Sequence, residues 1–195
     1  MVIILLFLSR IQSNNTNILL MRKSLYILST VLIVSCNMSN NSQTEVASTT
    51  PPIIMEDTTP RVTGIGGVFF LSDNPQKTTK WYGENLGLVT DLYGAAFEFR
   101  NANNPKEINY LRWSPFKNNE ESFAPSKKEF MINYRVQNIL GLIRNLKKNG
   151  VIILDSIQEF EYGKFVHLMD PDGNKIELWE PNDSFFTKMG GATTK

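Results

Sequence analysis

Between residues 62 and 183 the apolar residues fall into two series that follow the same order. In the first series, residues 68–71 (VFFL) indicate a short apolar strand. Asn74 and Pro75 then provide a helix cap and a residue that suits the first helical turn. The helix should end near Leu86, because Gly87 follows it. We therefore predict a strand followed by a helix over this first series.

The second series begins with a strand at residues 131–136, and a helix follows that ends before Gly150. The helix is indicated by apolar residues at helical spacing, namely Ile139, Leu142, Ile143 and Leu146. After each glycine comes a strand-like run, at residues 88–92 and 151–155, and then two further strand candidates. The last strands end alike, in Trp113-Ser114-Pro115 and in Trp179-Glu180-Pro181. The pattern indicates an internal duplication of a βαβββ unit.

Three segments carry a resemblance to a known family. They are residues 64–70 (GIGGVFF), Trp81-Tyr82 followed by residues 85–87 (NLG), and residues 170–178 (DPDGNKIEL). Together they resemble the vicinal oxygen chelate superfamily, and the resemblance covers residues 62–182. It implies an α+β fold in which paired βαβββ modules form a curved, barrel-like mixed sheet around a cavity. Members include glyoxalase I, bleomycin-resistance proteins, extradiol dioxygenases, epimerases and metal-free antibiotic-binding proteins, so the fold leaves the function open.

The sequence before this region has the character of a targeting signal. From Met21 a basic pair is followed by an apolar stretch at residues 25–34 and by Ser35-Cys36. Residues 33–36 (IVSC) resemble the bacterial lipobox, which implies that residues 21–35 are a signal peptide and that Cys36 is lipidated. A structural cysteine is the alternative. Residues 1–20 lack early positive charge, and we interpret them as a mis-annotated upstream extension.

These features predict the organisation of the rest of the chain. Residues 36–61 are rich in Asn, Ser, Thr and Pro, which is typical of a flexible tether. Residues 62–183 form the glyoxalase-like domain, with module one at 62–125 and module two at 126–183, and residues 184–195 are a C-terminal tail. The expected location is the bacterial cell envelope, with the protein lipid-anchored and its domain facing the periplasm or the exterior.

The charge balance excludes one class of partner. Twenty Lys and Arg residues stand against 19 Asp and Glu residues, and no basic run occurs in the domain. A nucleic-acid backbone is therefore not an expected partner. The single cysteine also excludes an intramolecular disulfide.

The superfamily resemblance implies metal ligands on the first and fourth strands of each module. The matching positions are Gly66, Leu111, Met131 and Glu177. Only Glu177 can bind a metal through a carboxylate, and a shift of one residue brings in no usual ligand. We therefore predict neither the usual four-ligand metal site nor any other cofactor. A divalent metal at a reduced site remains the alternative.

The segment 170–174 (DPDGN) predicts a three-residue hairpin loop with a bulge at Gly173. This loop pairs His167 with Glu177 and gathers Val166, Leu168, Ile176 and Leu178 on one face. Phe165, His167, Glu177 and Trp179 then share the face that would line the cavity. A two- or four-residue loop would instead set His167 against Leu178.

These residues are the candidate site. We expect His167 and Glu177 as an acid–base pair and Asn133, His167, Glu177 and Trp179 as ligand-binding residues. A purely structural role is the alternative for each of them. The main hypothesis is a lipid-anchored protein that binds a small molecule in the cavity between the modules, with membrane attachment through Cys36. A glyoxalase-type lyase, isomerase or dioxygenase using Glu177 and His167 is the second hypothesis. An interaction module for a protein partner is the third, and the family also allows a homodimer.

Overall fold

The computed structural model describes residues 57–118 and 121–195, and in it each series of the sequence forms one module. Module one contains β1 (Arg61–Ser72), α1 (Pro75–Leu86), β2 (Thr90–Asp91), β3 (Gly94–Arg100) and β4 (Ile108–Lys117). Module two contains β5 (Phe130–Gln137), α2 (Ile139–Lys148), β6 (Gln158–Phe160), β7 (Gly163–Met169) and β8 (Lys175–Pro181). A 3₁₀ turn at Glu121–Phe123 lies between the modules, and α3 (Asp183–Met189) follows β8. The predicted signal peptide, Cys36 and residues 36–56 of the tether lie outside the described residues.

All eight strands join one mixed sheet. Their order is β2-β3-β4-β1-β5-β8-β7-β6. In each module the first and fourth strands are parallel neighbours, and the two first strands pair antiparallel with each other. This arrangement confirms the predicted α+β fold of paired βαβββ modules. The described part holds no helix with enough apolar length to cross a membrane.

The sequence indicated Asn74 and Gly87 at the ends of α1 and Gly150 after α2, and the structure adds Asn138 as the cap of α2. The Asn74 side chain accepts a hydrogen bond from the Lys77 backbone N–H at 2.9 Å, and Gly87 ends α1 with a left-handed φ of 71°. In module two, Asn138 accepts from the Gly141 N–H at 3.0 Å, and Gly150 follows α2 with φ 77°. Side-chain caps satisfy amides that would otherwise lack a partner at a helix start.

The apolar core of module two lies between α2 and one side of the sheet. Its buried members are Val136, Ile139, Ile143, Val166, Leu168 and Leu178, with Ile176 packed against them. Burial of each aliphatic side chain contributes roughly 1.5–3 kcal/mol relative to exposure. The hairpin face predicted to pack under the helix is therefore confirmed. We call the opposite side of the sheet the inner face.

Two strand-like runs form less of the sheet than their sequences indicated. Of the strand-like run 88–92, only Thr90–Asp91 pairs in the sheet, and the run 151–155 contributes a single bridge between Ile153 and Leu168. The C-terminal tail, residues 184–195, makes contacts of its own with the domain. It contains most of α3, and Thr194 forms a parallel bridge to Phe97 in β3. The Ile153–Leu168 bridge and the Thr194–Phe97 bridge could not be inferred from local sequence, because both depend on distant partners.

Candidate functional site

The β7–β8 hairpin has the predicted register. Asp170 donates its backbone N–H to the Asn174 carbonyl at 3.0 Å, and Gly173 adopts φ 78° as the bulge residue. His167 consequently pairs with Glu177, and Val166 pairs with Leu178. This register confirms the three-residue loop. The loop forms because Pro171 suits a type I turn and Gly173 suits the left-handed residue that follows it.

The same register extends across the inner face of both modules. Arg112 in β4 pairs with Gly67 in β1, and Gly67 pairs with Asn133 in β5. Asn133 pairs with Glu177 in β8, which pairs with His167 in β7. Because paired residues project to the same side of a sheet, these five positions form one transverse row. We call it the inner row.

The second half of the inner row is joined by hydrogen bonds. His167 Nε2 lies 3.0 Å from Glu177 Oε2, and Asn133 Nδ2 donates to Glu177 Oε1 at 2.5 Å. On the other side of the imidazole, His167 Nδ1 lies 2.7 Å from Asp155 Oδ2. Asp155 also accepts the backbone N–H of His167 at 2.8 Å. Glu177 and Asn133 are each only 2% exposed, so this is a buried polar chain with its Asp155 end near the surface.

The environment of His167 favours the imidazolium form. Burial alone lowers the pKa of His167, but the hydrogen bond and the charge of Glu177, together with the Asp155 hydrogen bond, outweigh that effect. The pKa of His167 is therefore raised above its ordinary value. Burial also raises the pKa of Tyr162 to about 12, and the charge of Glu177 adds to this increase. His167 therefore binds a proton more tightly than a free imidazole does, beside the buried side chain of Glu177.

Sequence reasoning identified His167, Glu177 and Asn133, and the structure brings these three together. It missed Asp155, which follows the apolar run 151–154 and has no distinctive local pattern. A polar residue at the end of an apolar run was the only available signal. Its role arises because residues 152–154 run beside β7, with the Leu154 N–H donating to the His167 carbonyl at 2.8 Å.

Trp179 lies on the inner face, as predicted, and is 3% exposed. Its ring stacks on Phe165 with centroids 5.8 Å apart, and its indole N–H donates to the Tyr162 carbonyl at 3.1 Å. The Arg135 guanidinium lies 5.2 Å from the Trp179 ring and 5.7 Å from the Phe99 ring. The Trp179 ring therefore packs against the buried guanidinium of Arg135, a residue that the sequence did not single out.

The four positions matched to family metal ligands do not fit that ligand set. A Cβ at Gly66 would lie 2.1 Å from Asn133 Oδ1 and 2.8 Å from Trp179 Cε3, so a ligating side chain has no space there. Met131 offers only a thioether, and both Glu177 oxygens already accept hydrogen bonds or face His167. Within residues 57–118 and 121–195, no three His, Cys, Asp or Glu side chains gather as a cation site.

The assignment of Leu111 to the fourth-strand position was wrong by one residue. Leu111 alternates with Arg112 along β4 and shares its side with Trp113, whose ring lies 4.5 Å from that of Tyr82 on α1. Leu111 thus lies on the helix side, and Arg112 takes the inner position. Arg112 donates to both Asp91 oxygens, at 2.7 Å and 2.5 Å, and to Ser114 Oγ at 3.2 Å. An arginine in this position repels a metal cation.

An open groove of about 500 Å³ lies elsewhere, between α1 and the β2 edge. It is lined by Gln76, Thr79, Lys80, Gly83, Glu84, Leu88, Thr90, Asp91 and Leu92. None of the predicted site residues borders it. The buried polar chain of Asn133, Glu177, His167 and Asp155 therefore lies outside this groove.

Comparisons with known proteins give similar structures at low identity. No family model and no curated protein matches the sequence. A methylmalonyl-CoA epimerase of Streptomyces coelicolor is 12% identical with a TM-score of 0.48, over 63% of this chain and 99% of the epimerase. The enzyme of that name from Mycobacterium tuberculosis is 17% identical with a TM-score of 0.46, over 64% and 91%. A glyoxalase/bleomycin resistance protein/dioxygenase superfamily member from Vibrio splendidus is 12% identical with a TM-score of 0.39. The match covers 63% of this chain and 99% of that protein.

Proposed function

We propose that this protein is a lipid-anchored envelope protein whose glyoxalase-like domain binds a small molecule on the inner face, without the four-ligand metal site. The observation that supports this proposal is the inner row, which places Arg112, Asn133, Glu177 and His167 in one line across both modules. Convergent polar groups among mostly apolar side chains are typical of small-molecule sites.

The chemistry of the row supports recognition by hydrogen bonds rather than by a metal. Gly66 leaves no room for a ligating side chain, and Arg112 adds positive charge where a cation would need carboxylates. The Asn133 side-chain oxygen is buried without a hydrogen-bond partner in the described part of the chain. Burial of an unpaired acceptor is costly, so a ligand donor placed beside it would relieve that cost.

A ligand screen on the full-length chain tests this function. Thermal unfolding would be followed after treatment with a chelator, in the presence of small polar and amphipathic compounds. We expect a ligand-dependent rise in Tm that survives chelation and is lost in Glu177→Gln. The control is Glu121→Gln, an exposed glutamate, which should retain the rise. Absence of any binding compound, or a stoichiometric divalent metal lost in Glu177→Gln, would contradict the proposal.

Membrane attachment is a separate part of the proposal and depends on Cys36, outside the described residues. The supporting feature is the lipobox-like segment 33–36. Cells expressing the wild-type chain and Cys36→Ser would be labelled with a fatty-acid probe and fractionated. We expect label and membrane association for the wild type only. Equal labelling of both chains would exclude lipidation at this cysteine.

An acid–base enzyme is the second candidate function, and the His167 geometry is the observation that favours it. The imidazole lies between Glu177 and Asp155 at 3.0 Å and 2.7 Å, which is the arrangement of an oriented proton carrier. Exchange of the C3 protons of 2-oxobutyrate in D₂O, followed by NMR, is a direct assay. Exchange above buffer that is lost in His167→Ala and kept in Glu121→Gln would identify an enzyme.

A further inference from the structure

The C-terminal segment Asp183–Lys195, which we call the strap, joins the two modules across the inner face. Phe186 of α3 packs its ring 5.7 Å from Trp179 in module two and 5.4 Å from Tyr110 in module one. Thr194 then donates its N–H to the Ala96 carbonyl at 2.8 Å and accepts from the Glu98 N–H at 3.2 Å. The strap therefore covers aromatic side chains that belong to the inner face.

The strap also provides the carboxylate that pairs with a buried arginine. Arg135 is 4% exposed, lies between the Trp179 and Phe99 rings, and donates to the Tyr110 carbonyl at 3.1 Å. Its remaining charge partner is Asp183, the first residue of α3. An unpaired buried guanidinium is strongly unfavourable, so some anion must occupy this position. In this structure the anion is part of the chain itself.

Asp183 is a less than ideal partner for Arg135. Burial raises the pKa of Asp183, and this effect outweighs the lowering by the Arg135 hydrogen bond and charge. The carboxylate of Glu107 adds repulsion, although Asn109 donates to Asp183 Oδ2 at 3.1 Å. A carboxylate of a bound molecule would meet the same Arg135 and Asn109 donors once Asp183 moves away.

The strap has features that allow it to detach. Its helix has only seven residues, and Asn182 at its start makes no side-chain cap. Helices this short are marginal without tertiary packing. Gly190 and Gly191 follow with φ 66° and 121°, a conformation that glycine adopts readily. Local opening of such a terminal element requires much less free energy than global unfolding.

We propose that the inner-face ligand is a small aromatic carboxylate, and that it binds by displacing the strap from Arg135. Asp183 and Phe186 are the internal mimic of this ligand. They present a carboxylate to Arg135 and an aromatic ring to Trp179, at positions i and i+3 of one helix. This inference depends on the proposed binding function, for which it names the ligand class and the route of entry.

The test compares 3-phenylpropionate with 3-phenylpropanamide, which lacks the charge, on the full-length chain. Asp183→Asn removes the internal competitor with little change of volume. We expect this variant to bind 3-phenylpropionate at least tenfold more tightly than the wild type, with a larger rise in Tm, and to show no gain for the amide. Asp172→Asn, an exposed aspartate in the β7–β8 hairpin, is the matched control and should equal the wild type.

Hydrogen exchange on the wild-type chain gives a readout that does not depend on the folding of a variant. Saturation with 3-phenylpropionate should accelerate exchange of the Thr194 and Glu98 amides several-fold, because their hydrogen bonds, to the Ala96 and Thr194 carbonyls, join the strap to β3 and are broken when the strap leaves. Binding without this acceleration, or equal affinity in Asp183→Asn and wild type, would overturn strap displacement. If other compounds then bind the wild type and their binding is lost in Glu177→Gln, the proposed function is retained and strap displacement is rejected. If no compound binds any variant, both fail.

Discussion

Modules one and two share a framework but carry opposite charges on the inner faces of their fourth strands. In module one the fourth strand presents Arg112, which pairs with Asp91. In module two the fourth strand presents Glu177, which is joined to His167 and Asn133. Arg112 pairs with Gly67 and Glu177 pairs with Asn133, and both pairs join the parallel first and fourth strands of one module. The duplicated fold therefore supports two chemically different halves of one surface.

The difference shows how the two charges are tolerated in the interior. Arg112 donates to the carboxylate of Asp91, which approaches from β2 at the sheet edge, and to the hydroxyl of Ser114. Glu177 contacts the imidazole of His167 and the amide of Asn133, and the other nitrogen of His167 contacts Asp155. A paired or hydrogen-bonded charge avoids most of the cost of desolvation. Among the described residues, module two thus places its charge in a network that extends to Asp155, and module one places its charge in the Arg112–Asp91 ion pair beside Ser114.

The largest expected effect is at the junction of the modules. Gly66→Ala should destabilise the domain by about 3 kcal/mol, because the new Cβ would overlap Asn133 Oδ1 and Trp179 Cε3. Gly64→Ala is the control on the same strand, since its Cβ would meet only Arg135 Cδ at 3.9 Å. Urea unfolding should place the control within about 0.5 kcal/mol of the wild type. Equal losses at both positions would show that Gly66 is not needed for close packing.

The next effect concerns the single ion pair of module one. Asp91→Asn should lower the free energy of unfolding by about 2 kcal/mol, because Arg112 keeps its charge in a nearly buried position. Asp172→Asn serves as the exposed control. Chemical denaturation of both variants measures the difference. A loss no larger than that of the control would mean that Arg112 finds another partner.

A smaller effect is expected for the networked charge of module two. Glu177→Gln should cost about 1 kcal/mol, because the amide keeps the shape and can still bond to its neighbours. It should also lower the pKa of His167, because the hydrogen bond and charge of Glu177 raise that pKa. His167 is the only histidine, so its NMR titration is unambiguous. An unchanged pKa would show that Asp155 alone sets the proton affinity.

The smallest effect is the pH dependence that His167 contributes to stability. Its pKa is raised in the folded chain, so its stabilising contribution is complete below the unfolded value of about 6.5 and is lost as pH rises through the folded value. The difference in unfolding free energy between the wild type and His167→Gln should therefore shrink as pH rises above about 6.5. A difference that stays constant with pH would contradict this linkage.

Many helix ends and strand pairings could be predicted from local sequence. Asn74 and Gly87 marked the ends of α1, and the 170–174 loop set the pairing of His167 with Glu177. The two tryptophan endings were misleading, however, because Trp113 lies on the helix side and Trp179 on the inner face. A shift of one residue along a strand reverses the side of every following residue, and no local signal records that shift.

The sequence by itself determined the βαβββ order of the two modules, the hairpin register and the meeting of His167 with Glu177, because caps, turns and side-chain alternation act over a few residues. The tertiary structure alone decided that Asp155 joins His167, that Arg112 faces inward, and that Asp183 of the strap neutralises Arg135. These contacts join residues far apart in the chain or on different strands, and their geometry depends on how the whole sheet is assembled.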